Sequence, residues 1–137
     1  MSFEEMNFKD KLKKMMGKKG LKPGTYEAYI EKATPKFFQN SGNDGIILTL
    51  TVRPDIEQDG SEDEIMDFMI FSEAAIYKVE MLFEATELTF EDWETQEELA
   101  KLLEGMPVCI EVVETEYRGA KKPHVQSYSK GKPISED

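Results

Sequence analysis

From residue 25 onward the chain alternates. In TYEAYIEKA, Tyr26, Ala28 and Ile30 share one phase, and Thr25, Glu27, Tyr29 and Glu31 the other. This is the period-two signature of a half-buried strand. IILTLTVR repeats it, with Ile46, Leu48, Leu50 and Val52 against Ile47, Thr49, Thr51 and Arg53; its β-branched residues favour a second strand. After the acidic turn PDIEQDGSEDE, EIMDFMIF reads as a third strand. PVCIEVVETEYRG is a fourth, with Val108, Ile110 and Val112 opposite Cys109, Glu111 and Val113, and HVQSYS a short fifth.

Between the third and fourth strands the period changes. In SEAAIYKVEMLFEAT, Ile76, Val79, Leu82 and Phe83 follow the spacing of an amphipathic helix, with Ser72 as its N-cap. A shorter helix follows in TQEELAKLLEG. There Thr95 and Glu98 form a capping box, Leu99, Leu102 and Leu103 the apolar stripe, and Gly105 the stop. Trp93, just before it, reads as a core or staple residue. The order β-β-β-α-(α)-β-β predicts a mainly β fold: a five-stranded OB-fold barrel with one or two helices between strands three and four. A single five-stranded α+β sheet with helices on one face is the competing architecture. The barrel is expected over residues 21–129. Residues 1–20 form a lysine-rich arm with Phe8, Leu12, Met15 and Met16 at helical spacing, and 130–137 a flexible polar tail.

Composition adds bounds. The 137 residues, 39% hydrophobic, suit one core, and no apolar run is long enough to span a bilayer. A single cysteine, Cys109, leaves no internal disulfide framework and fits a reducing compartment; a cytoplasmic protein is expected. The net charge of −11 opposes a nucleic-acid partner on average, but the charge is polarised. Residues 1–22 carry seven lysines against three acids, a net of +4. Residues 55–104 carry seventeen acids against Lys78 and Lys101, a net of −15. Residues 117–134 carry five cations and no acid.

Catalysis is hard to staff. His124 is the one histidine and has no cysteine or second histidine to share a metal with. No nucleophile elbow or glycine-rich phosphate loop occurs. Asp55-x-Glu57-x-Asp59-Gly60 starts like a calcium loop, yet Met66 stands where the bidentate glutamate belongs and strands flank it. No enzyme activity, metal or cofactor is expected.

Binding remains. TPKFFQNSGNDG, residues 34–45, reads as a loop joining strands one and two, yet carries Phe37 and Phe38 beside Lys36. An OB-fold binds oligonucleotides on the strand two–three face, framed by the loops joining strands one to two and four to five. Single strands are held by cations along the phosphates and by rings on which bases stack. The first loop supplies Lys36, Phe37 and Phe38. The second supplies Tyr117, Arg118, Lys121 and Lys122, with His124 and Tyr128 just beyond, and Arg53 is placed outward from strand two. The same rings also suit a protein interface or a cover for the barrel end, the two tyrosines equally suit the core or its rim, and the lysines suit a polar hairpin tip.

LKPGTYEAYIEKA, SGNDGIILTLTV, DFMIFSEAAIYKVEMLFEA, ELAKLLEGMPVCIEVVETEYRG and KPHVQSY run in order over residues 21–128. Together they resemble a family of phage- and prophage-encoded single-stranded-DNA-binding proteins from replication and recombination gene clusters. The resemblance implies an OB-fold and sequence-tolerant coating of single-stranded DNA in the bacterial or phage-infected cytoplasm. It also implies homo-oligomers, and replication or recombination proteins as further partners. Many such proteins end in an acidic tip closed by a hydrophobic residue; this chain ends ISED, with the acids but no terminal aromatic.

Overall fold

The computed structural model describes residues 21–134, apart from the Tyr117 side chain. The predicted arm, residues 1–20, and residues 135–137 of the tail lie outside the described residues. Five strands form one antiparallel sheet: β1 (Gly24–Phe38), β2 (Asn43–Val52), β3 (Glu64–Ile70), β4 (Pro107–Tyr117) and β5 (Ala120–Lys130). Two helices, α1 (Ile76–Thr86) and α2 (Gln96–Leu103), lie between β3 and β4, and a 3₁₀ turn (Glu73–Ala75) leads into α1.

Ser72 Oγ accepts from the Ala75 N–H at 3.3 Å, but it caps the 3₁₀ turn rather than α1, which starts at Ile76 without a side-chain cap. The second helix starts where the sequence puts it: Thr95 Oγ1 accepts from the Glu98 N–H at 3.1 Å. The return bond of the box is displaced by one residue: the Glu98 carboxylate accepts from the Glu94 N–H, not from Thr95. Val79, Leu82 and Ala85 of α1, with Leu99, Ala100 and Leu103 of α2, bury against one face of the sheet, here the inner face. Ile46, Leu48, Leu50, Val52, Val108, Ile110 and Val112 meet them there.

The strand order is β3-β2-β1-β4-β5, so β3 and β5 are the edges. The sheet is open: among the described residues no backbone ladder joins these edges, and the closed barrel expected from the sequence is not formed. Side chains bridge the seam instead. The buried Asp67 of β3 accepts a hydrogen bond from the Tyr128 hydroxyl of β5 at 2.5 Å. Its other oxygen pairs with the Lys78 ammonium of α1 at 2.8 Å. In EIMDFMI the inward phase is thus Ile65, Asp67 and Met69, with one charged residue among the apolar ones.

Two register shifts decide which side chains face where. One falls between Ile30 and Lys32 of β1. A bulge inserts an unpaired residue and reverses the facing of all that follows. Tyr26, Ala28 and Ile30 are buried before it, and Ala33 after it, so Phe37 continues the inner phase and Phe38 the outer one. The second shift faces Glu111 and Val112 of β4; it lets Val125 and Tyr128 of β5 both point inward.

Candidate functional site

TPKFFQNSGNDG is less of a loop than its composition suggests. β1 continues through Phe38, paired with Asn43 of β2, and only residues 39–42 turn. Long pairing fixes the outer face in rows, since directly opposed residues share a face. One row is Lys36, Gly45 and Ile70; the next is Thr34, Ile47 and Phe68; the next is Lys32, Thr49 and Met66. Apolar side chains thus occupy the outward phase of β3, with Phe68 55% and Met66 58% exposed.

Gly45 makes the centre of this face possible. A Cβ there would lie 2.5 Å from both the Met69 carbonyl oxygen and the Phe38 ring. With no side chain in the way, the Phe38 ring leans over Gly45 towards Phe68, and the ring centroids lie 6.0 Å apart at 49°. The Lys36 ammonium stands 5.9 Å from the centre of the Phe38 ring, within cation–π range. Phe37, 54% exposed, lines an open depression of about 470 Å³ with Lys36, Phe38, Gln39 and Asn40. On α2, the Gln96 amide donates to the Gly45 carbonyl at 2.6 Å and to the Lys36 carbonyl at 3.3 Å, pinning the hairpin that carries the rings.

The other expected residues divide. Arg118 and Gly119, both at positive φ, form a two-residue turn between Tyr117 and Ala120, the left-handed pair that suits the twist of a tight hairpin. The Tyr117 side chain lies outside the described residues. Arg118, Lys121 and Lys122 are exposed at this tip. By register the tip is not beside Phe38: β4 pairs with Gly24–Tyr29 at the start of β1 and runs on beyond Gly24. His124 is exposed. Partial burial and the Lys78 charge hold its imidazole below the ordinary value, against an opposing pull from Asp67. Its imidazole therefore takes up a proton less readily than a free one.

Two expectations are corrected. Arg53 does not point outward: it is 2% exposed. Its guanidinium grips Asp55 through two bonds of 3.0 and 2.7 Å and donates to the carbonyls of Lys132 and Pro133. Four of its five N–H donors are taken by one carboxylate and two carbonyls, and at 2% exposure no side of it is open to a phosphate; its work is to hold the segment that follows β5. Tyr128 is buried in the core, where burial and the Asp67 charge hold its phenol well above the usual value; it offers no face to a base.

Residues 8–137 match a family described as a protein of unknown function, DUF669. The chain belongs to the DUF669 family. No curated protein matches it. Membership leaves the DUF669 chain's activity to be argued from its surface. Met66 and Phe68 are the residues of that surface that loop-centred reasoning missed. Their signal lay in EIMDFMI, where both phases of the strand carry large apolar residues. Among the described residues, no group of three or more His, Cys, Asp or Glu side chains is placed to hold a metal, and no helix is long and apolar enough to cross a membrane.

Proposed function

We propose that this protein binds single-stranded DNA, largely regardless of sequence, on the outer face of β1–β3, without catalysing a reaction. The observation that carries the reading is the Phe38–Phe68 pair, 6.0 Å apart, with the Lys36 cation beside it and Met66 exposed on the next row. Base stacking on such rings contributes roughly 1–3 kcal/mol each and tolerates any base. Lys32 and Lys36 on the same face meet the phosphates. Lys121 and Lys122, on the β4–β5 tip away from Phe38, offer a separate basic contact. The acids of α1 and α2 lie across the sheet from the rings, because the helices pack on the inner face, so the mean charge of −11 is not what the strand meets.

The strand order supports an OB-fold as the finer description of the sheet. β1 lies between β2 and β4, the helices come between β3 and β4, and the two edges that would close the barrel touch through Asp67 and Tyr128. Together with the resemblance over residues 21–128, this supports a role in phage DNA replication or recombination in the cytoplasm. The same exposed rings favour one rival, a self-association or adaptor surface. Phe38→Ala with Phe68→Ala separates the two. The DNA reading expects lost binding of an oligo-dT probe at unchanged mass in light scattering. Unchanged binding with a changed mass would make the face an interface and overturn it.

A further inference from the structure

A second apolar surface lies on the helical side of the molecule. Phe83 of α1, Phe90 and Trp93 form a three-membered aromatic cluster with centroids 5.8–6.0 Å apart. With Phe71, Ile76, Val79 and Leu99 they line an open groove of about 460 Å³, within the size range of ligand-binding clefts. Phe90 is 77% exposed, and Ile76 of the same lining is exposed too. Apolar surface of this extent, ringed by charge, marks a site that something covers. The Trp93 indole N–H is also buried without an acceptor among the described residues, a cost that a small shift onto an incoming carbonyl would relieve.

The surroundings specify the occupant. Residues 71–99 hold nine acids, Glu80 and Glu84 among the lining itself, against one lysine. That lysine, Lys78, is buried on Asp67. The occupant should therefore bring large apolar side chains among cations. The chain contains such a segment: residues 1–20 carry six lysines against three acids, with Phe8, Leu12, Met15 and Met16 at i, i+4, i+7 and i+8. This is the spacing with which an amphipathic helix fills an apolar groove. Reach is no obstacle, since twenty residues extend to roughly 66 Å, farther than the width of a domain of this size. We propose that the Phe83–Phe90–Trp93 groove receives this same chain's lysine-rich segment Met1–Gly20. The inference is independent of the DNA reading.

Trp93 is the one tryptophan of the sequence, so its fluorescence reports the groove directly. In the full chain, Phe8→Asp with Leu12→Asp should shift Trp93 emission to the red and increase its quenching by acrylamide. Replacing Lys9, Lys11, Lys13 and Lys14 by Gln should do so in part. A synthetic peptide of residues 1–20 should restore protection to the Phe8→Asp/Leu12→Asp chain. Far-UV circular dichroism verifies that each variant is folded. Emission and quenching equal to those of the wild type in both variants would overturn the proposal. So would protection that appears only as concentration and mass rise together, which would assign the groove to a second copy.

Discussion

Replacing Asp67 by Ala tests how the two sheet edges are held. Asp67 is buried, as is Lys78, and their charged atoms are 2.8 Å apart; the Tyr128 hydroxyl donates to the other carboxylate oxygen. Asp67→Ala leaves the Lys78 ammonium without its counter-charge in the interior and the Tyr128 hydroxyl without an acceptor. Removing one partner of a buried pair costs about 3–5 kcal/mol, a large part of a typical total stability of about 5–15 kcal/mol. At about 3–5 °C per kcal/mol for a chain of this size, the melting temperature should fall by about 9–25 °C. Thermal and urea unfolding followed by circular dichroism measure both quantities. Asp67→Leu with Lys78→Met should recover much of the loss, since two matched apolar side chains leave no bare charge. The hydroxyl alone stays unpaired there, at about 1–3 kcal/mol. A single variant costing under about 1 kcal/mol, or a double variant as unstable as the single, would refute the Asp67–Lys78 pair of β3 and α1 as the source of the cost.

The phenol gives a pH signature. Its raised value in the fold means that the stability it contributes is complete below the ordinary tyrosine value near 10 and is lost as pH rises through the folded value. Alkaline unfolding should therefore be steeper in the wild type than in Tyr128→Phe, and identical curves would contradict the assignment. Gly45→Ala forces a methyl to 2.5 Å from the Met69 carbonyl and the Phe38 ring, so stability should drop by about 1–3 kcal/mol and Phe38 should be displaced from Phe68; an unchanged melting curve would count against the close approach. Arg53→Ala should cost about 2–4 kcal/mol through its lost charge-assisted bonds and raise amide exchange at Gly131, Lys132 and Ile134. If it instead weakened DNA binding at unchanged stability, the arginine would be a DNA ligand after all.

The sequence disclosed much of this, for identifiable reasons. Strand and helix positions follow from local periodicity and caps, and Thr95 caps its helix as its chemistry dictates; the expected loop YRGAKKP instead shrinks to the Arg118-Gly119 turn, with β5 starting at Ala120. What stayed hidden depends on partners distant in sequence. The bulge at Glu31 exists only through pairing of β1 with β2, and it alone decides that Phe37 and Phe38 take opposite faces in the reverse of simple alternation. Arg53 looks like an outward cation until the carbonyls of Lys132 and Pro133, some eighty residues on, arrive beside it. Tyr128 and Asp67 lie 61 positions apart, and no local pattern announces their bond. Phe68 and Met66 were visible as apolar residues in both phases of one strand, but a buried strand reads the same way.

The DNA-binding face is the claim on which the functional account depends, and a fluorescence titration of labelled oligo-dT tests it most directly. At low salt the protein should bind. Neutralising two to four phosphates should then weaken binding roughly 7- to 50-fold between 50 and 200 mM salt. No binding at low salt would contradict the account.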